Sequence, residues 1–338
     1  MQPVTKETLL EICSLKGRVF SNDNVSAYLK KIRENGYSAN PSPGMFLPPR
    51  YPLINATTLT RYLNKLTSIW KLLPPPESVD GELAPTTKIL HMRVIVVTGA
   101  ASAMGSAIAL RLARDGARIA AFDSDGVKLE QLAKEASLSG GVVQPVICDV
   151  CDTASVRAAV SFAESEFATS IWGLVNCASK MECELVTEGN AESWCQMLDV
   201  NCRSVVNATG AVMNSLTGGQ EGRGGHIVNI TSESGHYPYK GLAAFSASKH
   251  FVDAWSRGIR NELSPMGIGV TNIQLGCIRS ELKMNFGADA ERIFAQCGYE
   301  KQPTDAPSVS DVAEAVMYAL TSTHNMRFND ITVSASSR

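Results

Sequence analysis

The chain has 338 residues, 44% of them hydrophobic and 19% charged, with a formal net charge of −2. That length supports one large α/β domain plus an extension, and the near-neutral balance gives no electrostatic case for nucleic acid or an anionic membrane as a partner. No apolar run approaches the roughly 18 residues of a spanning helix. Lys6, Glu7 and Glu11 break any signal-peptide core near the start, so the expected location is cytoplasmic, with reduced thiols. Nine cysteines without a secretory signal argue against a disulfide framework. Cys148 and Cys151 form a lone C-x-x-C with no second ligand pair, so no metal site is expected.

Residues 1–87 read as a separate helical extension and linker. Helical patterns cover Lys6 to Leu15, the stretch after Ser21-Asn22-Asp23-Asn24, and Leu59 to Leu73 with a wide apolar face. A proline-rich loop, Pro41 to Pro52, separates the second from the third, and Pro74-Pro75-Pro76 ends the third. The apolar faces of this extension are expected to pack on the main domain or on another subunit. A partner-binding module is the alternative.

From residue 88 the pattern changes. A short apolar strand over 93–98 leads through Gly99-Ala100-Ala101-Ser102-Ala103-Met104-Gly105 into a helix that runs to about Asp115. A strand over 117–122 follows, closed by Asp123. Then come helix 125–137, strand 142–148, helix 153–167, strand 171–176, one long helix over 191–216, and strand 226–232. Helix 245–261, strand 268–275, a variable segment 277–307, helix 310–321 and a last strand near 329–334 complete the chain. Strands alternating with helices predict a doubly wound parallel sheet of seven strands with helices on both faces, occupying 88–338.

A glycine turn between strand and helix lets backbone N–H groups approach a pyrophosphate at the helix N-terminus. An acid closing the next strand, here Asp123, is placed to accept hydrogen bonds from ribose hydroxyls. On Phe245-Ser246-Ala247-Ser248-Lys249, residues 245 and 249 share a helix face. Thr98-Gly99 with Gly105, Asn176-Cys177-Ala178-Ser179, Ser232, and Lys249 four residues after Phe245 together resemble the short-chain dehydrogenase/reductase family, over roughly residues 93–333.

The resemblance implies a Rossmann-type fold and hydride transfer between a nicotinamide and an alcohol or ketone. It implies dinucleotide contacts at Gly99, Ser102, Met104, Gly105, Asp123, Asp149, Val150, Asn176, Ala178, Lys249, Gly276 and Ile278, with Ser280 near the carboxamide. Asp123 would repel a 2′-phosphate, and no nearby cation would hold one, so NAD is expected over NADP. The same resemblance assigns Asn201, Ser232, Phe245 and Lys249 to the catalytic set. The asparagine anchors a relay water, the serine binds the substrate oxygen, and the lysine holds the ribose and tunes a tyrosine hydroxyl.

This chain departs from the family at that last group. Phe245 stands where the family has tyrosine, and a phenyl ring neither donates nor accepts a proton. Ala103 replaces the middle glycine of the turn, Ser179 a glycine, and Leu275 a proline. Tyr237, Tyr239 or His236, in the loop before the helix, are candidates to replace the lost hydroxyl. Cys177, Cys202 and Cys277 map near the nicotinamide end. The expected function is an NAD(P)-dependent oxidoreductase with impaired proton transfer on a small alcohol or carbonyl compound, and the alternative is a catalytically silent dinucleotide-binding or scaffold protein. A homodimer or homotetramer through the helices spanning 191–216 and 245–261 is an expectation from resemblance.

Overall fold

The chain enters its sheet at β1 (Val94–Thr98), whose five residues are all buried. Strands buried on both faces read as unbroken apolar runs, the mark of a parallel sheet covered by helices. The computed structural model describes residues 90–218, 224–279, 306–322 and 326–335. All of these lie in the unit Ala84–Arg338. The expectations for residues 1–87, for Ser280 and for most of segment 277–307 fall outside the described residues.

The chain order is β1, α1 (Ala103–Arg114), β2 (Arg118–Asp123), α2 (Gly126–Leu138), β3 (Val142–Ile147), α3 (Thr153–Phe167), β4 (Ile171–Asn176) and α4 (Ala191–Leu198). A π-helical turn, Asp199–Arg203, then leads into α5 (Ser204–Thr217). After it come β5 (His226–Ser232), α6 (Ala243–Leu263), β6 (Gly269–Leu275), α7 (Val309–Thr321) and β7 (Asp330–Val333). The seven strands pair in parallel in the order β3-β2-β1-β4-β5-β6-β7. The order reverses between β1 and β4, which opens a crevice at the carboxyl ends of those strands.

Local chemistry sets the helix starts. Ser102, Asp125, Asp152, Asn190 and Ser308 each cap a helix by accepting a backbone N–H with the side-chain oxygen. Two apolar layers hold the sandwich. Ile108 and Leu112 of α1, Leu129 of α2 and Val316 of α7 pack on one face with Ile95, Val97 and Val228. Val156 and Val160 of α3, Val212 of α5 and Ile259 of α6 pack on the other with Val96, Phe122 and Ile227. Each such fully buried aliphatic side chain contributes roughly 1.5–3 kcal/mol by its transfer from water.

The long helix expected over 191–216 is interrupted. At Asp199–Arg203 the Ser204 N–H reaches back to the Asp199 carbonyl, a π-type step. The side chain of Asn201 turns inward there and is held by the Lys180 backbone, with Oδ1 accepting from Lys180 N at 2.7 Å and Nδ2 donating to Lys180 O at 2.9 Å. Such inserted turns recur at functional sites.

A polar row crosses the second face of the sheet. Asn176, Asn229, Asn272 and Asp330 are register partners on β4, β5, β6 and β7. Asn176 Nδ2 donates to Asn229 Oδ1 at 2.8 Å, and Asn229 Nδ2 donates to Ser256 Oγ of α6 at 2.8 Å. Asn272 Nδ2 donates to both Asp253 Oδ1 and Asp330 Oδ1. The row ties four strands to α6, the helix that carries Phe245 and Lys249.

His226 at the start of β5 is buried, and its Nε2–H donates to Thr271 Oγ1 at 2.8 Å, because that hydroxyl gives its own proton to Phe328 O. Burial, with Arg327 nearby, lowers its pKa from 6.5 to about 4. The unfolded chain therefore binds a proton that the folded chain refuses between pH 6.5 and 4. Stability is complete above about pH 6.5 and falls by about 3 kcal/mol as the pH drops to 4. Urea denaturation at pH 7 and pH 4.5 checks this, and His226→Gln is expected to flatten the difference.

No helix among the described residues is long and apolar enough to cross a membrane.

Candidate functional site

The glycine turn after β1 is built by close backbone approach. Gly99 sits at φ +68°, and a Cβ there would lie 2.7 Å from Ala178 Cα and 2.9 Å from Ala178 N. Thr98 clasps the same segment, its hydroxyl accepting from Cys177 N at 3.1 Å and Ala178 N at 3.2 Å. A Cβ on Gly105 would overlap the Gly99 carbonyl oxygen and lie 2.8 Å from Ala100 Cα. The turn is thus wedged between β4 and α1 with no room for side chains at these two positions. Ser102 donates to Gly99 O at 2.7 Å and accepts from Gly105 N at 3.0 Å, so its hydroxyl organises the turn itself. Met104 packs its side chain on the first apolar layer.

Asp123 reaches the turn from the end of β2. Its Oδ2 accepts from Ala101 N at 3.0 Å and its Oδ1 from Asp125 N at 3.1 Å. These residues fit a dinucleotide. The first turn of α1 carries no acid, and Ser102 takes up only its Gly105 N–H, so the positive end of the helix remains open to a phosphate. Asp123 is partly exposed at the rim, where a carboxylate accepts ribose hydroxyls. Asp149, exposed at the end of β3, accepts from Cys151 N at 2.9 Å, and the Val150 carbonyl accepts from Asn207 Nδ2 at 3.1 Å.

Two expected contact residues also make internal contacts. Asn176 Nδ2 donates to Asn229 Oδ1 in the polar row, while its own Oδ1 is buried with no partner among the described residues. Ile278 packs on the first apolar layer. Gly276 is tight as well: its N–H donates to Val333 O at 2.9 Å, and a Cβ would lie 3.2 Å from the Glu233 carboxylate.

Two of the expected catalytic residues bear on the end of β5. Ser232 Oγ donates to Leu275 O at 3.3 Å and accepts from Ser234 N at 3.2 Å. The first of these bonds is long, and a substrate oxygen can replace it at little cost. Lys249 is buried and donates to Ile230 O at 3.1 Å. Its Nζ lies 5.6 Å from the Phe245 ring centroid. Desolvation lowers its pKa from 10.5 to about 8, against a smaller opposing influence of Cys177 and Cys202. Those two thiols move the other way. Burial pushes Cys177 up to about 12 and Cys202 up to about 11, with Lys249 opposing. Both are held as thiols and are poor nucleophiles.

Asn201 is buried, and both of its amide protons are used, one on Lys180 O and one on Ser248 Oγ at 2.9 Å. It joins the segment after β4 to α6. Ser248, which also donates to Phe245 O at 2.7 Å, is a support that the sequence reading missed, because its role depends on a helix 47 residues away. Phe245 itself is buried in a small apolar cluster with Cys183, Met197 and Leu242.

The candidates to replace a tyrosine hydroxyl differ in exposure and partners. Tyr237 is 69% exposed and Tyr239 is 38% exposed. His236 Nε2 lies 2.8 Å from Gln274 Nε2 and 3.9 Å from Asp253 Oδ1, on the side of the polar row.

A parallel sheet in this order, with a glycine turn at its switch point and an acid closing β2, defines a dinucleotide-binding class of fold. The model of the short chain dehydrogenase family matches residues 93–291, and the chain belongs to that family. It is 34% identical over 268 residues to a glycine betaine reductase of Emericella nidulans, a match that covers 78% of this chain and 20% of that protein. The chain thus spans about a fifth of the length of that relative. It is 32% identical to an uncharacterized oxidoreductase of Staphylococcus saprophyticus, over 72% of this chain and 97% of the relative. An NAD+-bound xylitol dehydrogenase superposes with a TM-score of 0.64 at 23% identity, over 73% of this chain and 99% of its own. A metagenomic short-chain oxidoreductase in complex with NADP gives 0.61 at 22% identity, over 74% and 100%. Both structures share the fold.

Proposed function

We propose that this chain is an NAD-preferring oxidoreductase acting between a nicotinamide and a small alcohol or carbonyl compound, with its proton step weakened by Phe245. The observation that carries this reading is that Lys249 bonds the Ile230 carbonyl of β5, two residues before Ser232 at that strand's end, in a chain whose glycine turn has no room for side chains at Gly99 and Gly105. The dinucleotide, when bound, supplies or takes up the hydride. Ser232 exchanges its long bond to Leu275 O for the substrate oxygen. Lys249 keeps one N–H on Ile230 O and turns its remaining donors to the ribose. With a pKa near 8, it also holds an ionisable proton beside the Phe245 ring. Asn201 and Ser248 fix the spacing between α6 and the segment after β4.

The similarity to a glycine betaine reductase supports a small carbonyl compound as substrate. The exposed Phe251, stacked on Trp255 at 6.4 Å, and the exposed Leu198 and Val206 support a homodimer or homotetramer through the α4–α6 face. The purified chain with NADH and a panel of small aldehydes and ketones tests the proposal. Slow, carbonyl-dependent NADH oxidation is the expected result, and its loss in Ser232→Ala assigns it to this site. The second reading, a silent dinucleotide binder, is favoured by the packing of Phe245 against Cys183, Met197 and Leu242. It predicts NADH binding with no turnover on any carbonyl.

Asp123 governs cofactor choice in this account. A carboxylate accepting ribose hydroxyls contributes hydrogen bonds of about 1.5–3 kcal/mol. Asp123→Ser is therefore expected to weaken NAD roughly ten- to a hundredfold and to leave NADP little changed. Parallel titrations of the two dinucleotides measure the ratio.

A further inference from the structure

Directly after Ser232 stands Glu233, a carboxylate that the proposed hydride-transfer chemistry does not use. It opens a single 3₁₀ turn, Glu233–Gly235, at the end of β5. The backbone fixes this turn. The Glu233 carbonyl accepts from His236 N and Tyr237 N, both at 2.9 Å, and a Cβ on Gly235 would lie 3.0 Å from Lys249 O.

The Glu233 side chain leaves the turn toward the end of β6. A Cβ on Gly276 would lie 3.2 Å from both its Cδ and its Oε1, so glycine at 276 leaves the space in which the carboxylate rests. Ser232 Oγ reaches the same place, donating to Leu275 O at 3.3 Å. Leu275 O and Gly276 N belong to one peptide group, and the hydroxyl and the carboxylate both lie against it. Ligands of an open parallel sheet bind outside these carboxyl ends. A substrate whose oxygen replaces Leu275 O on Ser232 thus has Glu233 as a neighbour.

That charge is open to a ligand. Glu233 is half-buried, and neither carboxylate oxygen is sealed from the surface. Among the described residues no donor reaches the carboxylate and no cation pairs with it. Lys249 does not cancel it: the ammonium is held on Ile230 O, and the thiols under its influence are Cys177 and Cys202. Cys277, next to Gly276, lies on the acidic side instead. Burial raises its thiol pKa, and the Glu233 carboxylate raises it further.

An open carboxylate recognises a group that brings both positive charge and N–H donors. It repels an anionic substituent. One carboxylate supplies too few ligands for a metal ion, and no group of three or more His, Cys, Asp or Glu side chains among the described residues could hold one. We propose that Glu233 is a specificity-determining residue, which selects carbonyl and alcohol compounds bearing an ammonium group close to the reacting carbon. This rests on the oxidoreductase reading and names its substrate class.

Calorimetric titration of the NADH-saturated full chain with 1-aminopropan-2-ol and with butan-2-ol, at neutral pH, tests it. The two alcohols share one shape, with an ammonium in the first where the second has a methyl. Neither can be oxidised by the reduced cofactor, so the readout is binding alone. The expected result is that the amino alcohol binds roughly ten- to a hundredfold tighter, the span of a charge-assisted hydrogen bond. Most of that preference is lost in Glu233→Gln, and Glu233→Asp, which keeps the charge on a shorter arm, retains part of it. Ser232→Ala weakens both alcohols and keeps their ratio. Equal affinities in the wild type, a comparison that needs no variant to fold, overturn the proposal, as does a preference that survives Glu233→Gln. Either outcome with NADH bound leaves the oxidoreductase reading standing. Absence of NADH binding overturns both.

Discussion

Phe245→Tyr is expected to raise kcat for carbonyl reduction by about 10²–10⁴-fold, the usual worth of a positioned general acid. Position 245 is already shaped for an aromatic ring, which is buried and packed with Cys183, Met197 and Leu242. Lys249 lies 5.6 Å from the ring centroid. With a pKa near 8 it is mostly protonated at neutral pH, and its charge would stabilise the ionised phenol of the variant. Ser232 needs no rebuilding, because its donor bond to Leu275 O is long and exchangeable. Steady-state rates of wild type and variant with the same aldehyde decide the matter. A gain in kcat with little change in the affinity for NADH identifies the missing hydroxyl as the defect. An unchanged kcat places the loss of function in the wider site and favours the silent binder.

Gly105→Ala is expected to have the second large effect, in the opposite direction. The added methyl would overlap the Gly99 carbonyl and press on Ala100 Cα. Both are backbone atoms, and neither can swing aside as a side-chain tip can. Overpacking of this kind costs about 1–3 kcal/mol. It also displaces the turn that presents N–H groups to the phosphates, so NAD affinity should fall at least tenfold. Ala103→Gly, at the family's middle glycine, should tighten NAD binding without that penalty. Thermal unfolding and NAD titration of both variants separate the two effects. A Gly105→Ala protein with wild-type stability and affinity would show that the turn is not the dinucleotide cradle.

The fold was legible because its signals are local. Apolar runs such as 94–97 and 171–175 read as strands buried on two faces, and their alternation with capped helices points to parallel pairing. Most helix starts move by one or two residues at most, to the residue after a capping Ser, Asp or Asn. The π turn at Asp199–Arg203 was not legible, since it depends on Asn201 finding the Lys180 backbone 21 residues away. Nor was the row Asn176, Asn229, Asn272 and Asp330 readable before the strand order was known, because its members are adjacent only through register.

The residues read as one catalytic set divide by physical role. Ser232 and Lys249 carry exchangeable or spare hydrogen-bonding capacity, while both side-chain donors of Asn201 are consumed inside the protein. A motif gives the residue type and spacing, and only the hydrogen-bond inventory separates a group that can meet a ligand from one that braces the site. Glu233 illustrates the converse. It stands next to Ser232 in the chain but belongs to no motif position, and its meeting with Gly276 is a tertiary fact.

The most direct test of the central claim is calorimetric titration of the full chain with NADH, with NADPH beside it. The account predicts saturable NADH binding in the micromolar range and NADPH binding at least tenfold weaker. Absence of binding by either dinucleotide would contradict it, because the turn at Gly99 and Gly105 and the carboxylate of Asp123 would then have no ligand to hold.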